Sequence, residues 1–247
     1  MLTCVAIYKT DAQSPVPAPE PDTIALPELL YEDRELWVFN KPAGVSLLAD
    51  RQAQVCLWDT FKAQLGKPYL VHRLDKGTSG VLLLARTQTR QKQLTRAFRE
   101  RQVKKTYLAL VAGGFPGSAS KRIDLPLTRG RKSRYRVAGQ REAISWHGRN
   151  VSVHTDREGL DAVTTARPLR RDANTTCMML RPQTGRSHQL RVHMGWCGFP
   201  ILGDHLYGPK DQSQTADGLR LHCHKLVVPG LPPFRAPRPG WLINACG

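Results

Sequence analysis

Apolar positions in this 247-residue chain come in short runs separated by turn-forming residues. "ELWVFNKPAG" (35–44) is rich in β-formers and closes on Pro-Ala-Gly, so it predicts a strand running into a turn. "GVLLLA" (80–85) is unbroken and apolar, which predicts a strand buried on both faces. Residues 87–102 change period: Leu94, Ala97 and Phe98 share one helical face and basic residues cover the other. "KTYLALVAG" (105–113) reads as a third strand, and "AVTTARPL" (162–169) as the edge of another. In "TCMMLRPQTGRSHQLRVHMGWCGFP" (176–200) a strand is followed by a Thr-Gly turn and a helix from about Ser187, a suitable N-cap. "LRLHCHKLVV" (219–228) is a late strand, and "PGLPPFRAPRPGW" (229–241) predicts irregular chain. Strands outnumber helices and several follow one another directly. The expected class is therefore α+β, with a mixed, mainly antiparallel sheet, flanking helices and a central cleft. The organisation expected is an N-terminal arm with a Pro-rich linker (1–25), one core domain (26–229) and a Pro-rich C-terminal tail (230–247).

Composition narrows the partners. No apolar run approaches the roughly 20 residues that span a bilayer, and "MLTCVAIYKT" is too short and too soon polar for a secretory signal. A cytoplasmic protein with no membrane partner is expected. The six cysteines are scattered without a CxxC pair, which reads as free thiols in a reducing compartment. "HCH" (222–224) is a weak metal signal, because neighbours in a strand point to opposite faces and no second ligand cluster exists. No metal site is expected. Lys+Arg 37 against Asp+Glu 20 gives a net charge of +17. Such an excess repels itself in the free protein and suits a polyanionic partner. The cations also cluster. "RTQTRQKQLTRAFRERQVKK" (86–105) holds a single acid, Glu100, and the hairpin-like "TRGRKSRYR" (128–136) holds none, as suits a phosphate backbone.

Against that background the acid in "VHRLDKGTSGVLLLA" (71–85) stands out. Asp75 lies among His72, Arg73 and Lys76 at the entrance to a buried strand. An acid there repels a partner's phosphates unless it is needed, and nearby cations favour its ionised form. A positioned carboxylate can serve as a covalent nucleophile; on spacing alone it can equally be a structural ion pair. In 184–208, His188 and Arg191 fall on one face at i, i+3 if the helix begins near Ser187. Arg191 could offer a carboxylate a bidentate pair, and Arg186 or Arg191 could instead bind phosphate. Leu190, Val192 and Met194 make no single stripe, so this helix should pack on more than one side. Tyr107 opens a strand, where a Tyr is either core or, beside a pocket, a platform for a base.

These motifs together resemble the RluA-type RNA pseudouridine synthases. "HRLDKGTSG" resembles that family's signature with its catalytic aspartate, "NKPAG" its first motif, "FRERQVKKTY" the approach to its active-site tyrosine, "TGRSHQLRVH…GFPILGDHLYG" its arginine motif and "LRLHCHKLVV" its closing strand. The resemblance runs in order from about Leu26 to Val228. It implies isomerisation of uridine to pseudouridine in structured rRNA or tRNA, with Asp75 as nucleophile, Tyr107 stacking on the base and Arg191 paired with Asp75. It implies base flipping, attack at C1′ of the ribose or C6 of the base, no cofactor, and Arg73 near the flipped nucleotide. Expected RNA contacts are Arg73 and His72 of the signature, Lys41 of the first motif, Arg186 and His188 of the arginine motif, and Arg96, Arg99, Lys104, Lys105, Arg131 and Lys132 of the basic runs. Many relatives carry a small RNA-binding domain of the S4 type, for which the 25 or so residues before the core leave no room. Target choice is then expected from the core itself, acting as a monomer. Two other classes give weaker accounts. A non-catalytic RNA-binding protein or RNA chaperone has no use for Asp75, Tyr107 and Arg191 together. A nucleic-acid hydrolase normally needs several acidic metal ligands.

Overall fold

The unbroken apolar run expected to be a doubly buried strand is the centre of the sheet. In the computed structural model, which describes residues 24–49, 55–131, 134–155, 158–209 and 218–246, every residue of Ser79–Ala85 is buried. The strands in chain order are β1 (Glu28–Glu32), β2 (Leu36–Lys41), β3 (Tyr69–Leu70), β4 (Ser79–Ala85), β5 (Lys104–Ala112), β6 (Lys121–Asp124), β7 (Leu127–Arg129), β8 (Tyr135–Val137), β9 (Ile144–His147), β10 (Asn150–Val153), β11 (Val163–Arg171), β12 (Thr175–Pro182), β13 (Leu221–Val227) and β14 (Phe234–Arg235). The helices are α1 (Leu57–Leu65), α2 (Gln88–Arg99), α3 (Gln189–Trp196) and α4 (Gly240–Cys246). Residues up to 23 of the expected arm, and Lys132, lie outside the described residues.

One large sheet runs β1-β2-β4-β13-β5-β12-β11-β6-β10-β9, with β14 on β13 and β3 on β4; β7 and β8 form a separate hairpin, where the basic segment was expected to turn. Only the β4–β13 and β6–β10 pairs are parallel, so the sheet is mixed and mainly antiparallel. The parallel β4–β13 junction needs a close approach. A Cβ on Gly80, at φ +111°, would collide with the Cys223 carbonyl, so only glycine fits.

Helices cover both faces. On one, Leu190, Val192 and Met194 of α3 pack with Val111, Ala166, Met178 and Leu180, and Leu94 of α2 packs with Val81, Leu83 and Leu226. On the other, Leu57 and Phe61 of α1 lie against Phe39, Leu82 and Leu84, and Leu242 of α4 lies against Leu108 and Cys177. Every residue of α3 from Gln189 to Gly195 is buried, which is why its apolar residues mark no single stripe.

Four expectations need correction. The helix expected from Ser187 starts at Gln189, because His188 takes a left-handed conformation, φ 56°, and ends the preceding loop. β11 is not an edge: it pairs with both β12 and β6, since its Thr residues tolerate an interior position as well as a rim. The Pro-rich segment beyond 229 holds β14 and α4, because Phe234, Ala236 and Leu242 are apolar enough to be buried. Cys56, Cys197 and Cys223 are free, but Cys177 is disulfide-bonded; spacing along a chain carries no information on thiols that approach one another through the fold.

Candidate active site

Asp75 sits on the loop joining β3 to β4. Thr78 N–H donates to the Asp75 carbonyl at 2.9 Å and closes the turn. Beneath it is Lys41, fully buried at the end of β2, whose Nζ donates to the carbonyls of Pro42 (2.8 Å), Lys76 (3.2 Å) and Thr78 (3.0 Å). Burial brings its pKa down to about 8, against the opposing pull of the Asp75 charge. All three donors face inward, so Lys41 props the loop and does not reach phosphate as expected. His72 lines the cleft but does not serve as a cation. Its Nε2 accepts Leu83 N–H at 3.0 Å and its ring stacks on Phe98 at 4.8 Å between centroids. A ring nitrogen that accepts belongs to a neutral imidazole, and burial, then Lys105, hold its pKa to about 3. His72 is wall, not cation.

The loop opens into a cleft of about 430 Å³ lined by Arg73, Asp75, Phe98, Arg99, Tyr107, His188 and Arg191. The carboxylate of Asp75 is 22% exposed and has two charged or polar neighbours, Arg191 Nη1 and His188 Nε2, each 3.8 Å from Oδ2. Both are within ion-pair range but too long for hydrogen bonds. Tyr107 comes from β5, the strand beside β13. Its phenol is pushed well above its ordinary pKa by burial, then by Cys223, and stays protonated. The expected trio of Asp75, Tyr107 and Arg191 does converge.

Arg191 has a second carboxylate that sequence reasoning passed over. Its Nε and Nη2 donate to Asp204 Oδ2 (2.8 Å) and Oδ1 (2.7 Å) in a bidentate pair, and Asp204 Oδ1 also accepts Leu206 N–H (3.0 Å) and Tyr207 N–H (3.1 Å). Burial alone would raise the Asp204 pKa, but Arg191 and the two N–H groups outweigh it and hold the carboxyl below its ordinary value. A signal was available: Asp204 is the only acid between Asp172 and Asp211, in a stretch rich in cations. The expected bidentate arginine is thus real, but its fork faces Asp204, and only the remaining nitrogen faces Asp75.

His188 completes the wall. Its Nδ1 is 2.8 Å from Tyr207 Oη, which accepts Tyr135 N–H at 2.9 Å. Burial lowers its pKa, Arg191 and Arg73 adding to this while Asp75 and Asp204 oppose it, so it faces Asp75 as a neutral ring rather than as a phosphate-binding cation. Gln189 sets the loop before it. Its Oε1 accepts Thr184 Oγ1–H (2.7 Å) and Arg186 N–H (3.0 Å), and its Nε2 donates to Val163 O and Thr164 Oγ1, both at 3.0 Å.

The other expected RNA contacts divide. Arg73, Arg99, Lys104 and Arg131 are exposed, and Arg73 and Arg99 line the cleft. Arg96 is exposed but pairs with Glu100 at 2.6 Å. Arg186 Nε donates to Asp161 O at 2.9 Å. Lys105 lines the cleft and donates to Thr184 O at 3.0 Å, its pKa lowered by burial, so it ties β5 to the arginine motif.

With this geometry in hand, comparison with known proteins is specific. A family model described as RNA pseudouridylate synthase matches residues 35–196. The dual-specificity RNA pseudouridine synthase RluA of Vibrio cholerae is 33% identical over 217 residues, covering 87% of this chain and 80% of the relative. RluA of Escherichia coli K12 is 36% identical over 205 residues, covering 81% and 85%. A solved human structure, RNA pseudouridylate synthase domain containing 4, superposes with a TM-score of 0.72 at 27% identity, covering 88% of this chain and 90% of its own. The class so defined is an isomerase that rearranges uridine within RNA. The chain belongs to the RNA pseudouridylate synthase family and is similar throughout its matched length to the RluA-type enzymes. The non-catalytic RNA-binding reading is not favoured.

Proposed function

We propose that the protein converts specific uridines to pseudouridine in structured rRNA or tRNA, in the cytoplasm and as a monomer, with Asp75 as nucleophile. The observation that carries the assignment is the state of that carboxylate: partly exposed to the cleft, near two polar groups, yet without a side-chain hydrogen bond, among the described residues, that an incoming atom would have to displace. The uridine leaves its stack and enters the cleft, and its base lies on the Tyr107 ring. Asp75 attacks C1′ of the ribose or C6 of the base. The N1–C1′ bond breaks, the uracil turns, C5 bonds to C1′, the bond to Asp75 breaks and frees the carboxylate, the C5 proton leaves to solvent, and N1 takes up a proton. Atoms balance without redox chemistry. Arg191, held rigid by Asp204, keeps a positive charge beside Asp75 as the carboxylate loses and regains its own charge. Arg73, exposed at the rim, takes the space left by the flipped base.

Tritium release from C5-labelled uridine RNA, with filter binding in parallel, tests this reading. Asp75→Asn should release no tritium while binding RNA as well as the wild type does, since losing a negative charge does not weaken phosphate contacts. Wild-type turnover in that variant would end the assignment. Arg73→Ala should lower turnover more on a stem-loop, where flipping costs a few kcal/mol, than on an unstructured oligonucleotide; equal losses would leave Arg73 as a support for Asp75.

A further inference from the structure

The sheet has a second charged surface, on the face away from the cleft. Side chains alternate along each strand, and the cleft side is fixed by Tyr107, Leu180, Ala166, Ile123, Leu226 and Phe234, all of which face the α2–α3 side. The residue before or after each of these therefore points to the opposite face. Strand register aligns six of them. Arg235 on β14 pairs with Lys225 on β13, and Lys225 pairs with Thr106 on β5. The pairing Leu180↔Tyr107 sets Arg181 on β12 beside Thr106, and Arg181 pairs with Thr165 on β11, which pairs with Arg122 on β6. At about 4.8 Å per strand the row is roughly 24 Å long. Two residues along β11 from Thr165, Arg167 points the same way.

None of this row is buried: Arg235, Arg181, Arg122 and Arg167 are exposed and the threonines and Lys225 half-buried. α1 and α4 cover this face elsewhere, over β2–β4 and over Leu108 and Cys177. Among the described residues, the one ion pair in the row is Arg122 with Asp124 at 2.8 Å; Arg167, Arg181, Lys225 and Arg235 have none. The bland account, a solvated strand face, predicts alternating signs. The row instead carries one sign, separated by small hydroxyl side chains that keep it flat. The row itself holds no aromatic ring to stack on a base.

We infer that this row is a second RNA-binding surface, gripping the phosphate backbone of substrate RNA outside the target stem-loop. It goes beyond the cleft chemistry proposed above but rests on RNA as the substrate. Four cations on a flat strip read backbone, not sequence, so the surface adds affinity for large folded RNAs without choosing the uridine.

The test is a quadruple variant, Arg167→Gln, Arg181→Gln, Lys225→Gln and Arg235→Gln, compared with wild type on a minimal target stem-loop and on a full-length folded RNA that contains it. On the stem-loop, kcat and KM should stay within twofold, which also shows that the variant is folded. On the long RNA, affinity near 0.1 M salt should fall at least tenfold. The salt slope should flatten by about 3, at roughly 0.7–0.9 for each phosphate no longer neutralised. An unchanged slope on the long RNA would overturn the inference, and so would equal losses on both RNAs, which would assign these cations to the cleft. If the wild type made no pseudouridine in either RNA, the function proposed above would fall, while a flattened slope would still support the surface and an unchanged slope would still remove it; melting temperature would then report the folding of the variant.

Discussion

Two aspartates share one arginine and are treated in opposite ways. Asp204 is buried, accepts both arms of the Arg191 fork and takes two backbone N–H groups as well. Asp75 is 22% exposed and meets the same guanidinium at 3.8 Å, with His188 equally distant. A carboxylate offers about four lone-pair sites. Those of Asp204 are filled, and those of Asp75 take no side-chain hydrogen bond among the described residues. The filled one fixes an element, and the open one retains the freedom to form a bond. In a basic protein both look like ion-paired acids; saturation tells them apart.

The largest expected effect exploits that difference directly. Asp75→Asn should lower turnover on the order of 10⁴-fold or more, as removal of a nucleophile does, with little change in melting temperature. Asp204→Asn should do the reverse in kind: it leaves Arg191 buried without its partner and should cost about 3–5 kcal/mol of stability, read by urea unfolding. If Asp204→Asn were as stable as the wild type, the contrast between the two sites would fail. The double variant Asp204→Leu with Arg191→Met sharpens it further. Replacing the whole buried pair by apolar groups should recover much of the stability, yet turnover should be lost because the Arg191 guanidinium no longer stands beside Asp75.

Smaller effects follow from geometry. Arg191→Lys keeps the charge but loses the planar fork, and turnover should fall about 10- to 100-fold, the equivalent of one or two hydrogen bonds; full activity would mean the charge alone suffices. Tyr107→Ala should lose stacking worth about 1–3 kcal/mol, and Tyr107→Phe much less. A dead Phe variant would instead place the hydroxyl in the proton transfer.

The smallest effect is a pH response away from Asp75. His193 on α3 is buried and neutral, Nδ1 against Thr164 Oγ1 and Nε2 against Leu125 O, both at 3.0 Å, and burial lowers its pKa to about 4. Between its ordinary pKa of about 6.5 and that lowered value, the unfolded chain binds a proton that the folded one excludes. Stability contributed by the neutral ring is therefore fully present above the ordinary value and declines as pH falls toward the lowered one. From about pH 7 to pH 6 the loss is about 0.7 kcal/mol, which His193→Gln should remove from the difference in unfolding free energy measured at the two values.

Local pattern already carried more than the fold class. The apolar run at 80–85 and the periodic face of α2 were enough to place the central strand and the basic helix, and the family resemblance of the motifs pointed to Asp75, Tyr107 and Arg191. All depend on neighbouring residues or on residue type. Where each charge ends up is set by folding instead. Lys41 and Lys105 read as free cations in the chain, but folding aims each at backbone carbonyls. Asp204 drew no reading of its own in the chain, yet it is the carboxylate that takes the Arg191 fork. The cationic row on the far face does not exist in the chain at all, because its members lie on six strands between residues 106 and 235 and meet only through sheet register. Local pattern reports whether a side chain prefers water. Which partner a charge finds depends on contacts between segments far apart in sequence, and those exist only once the sheet has formed.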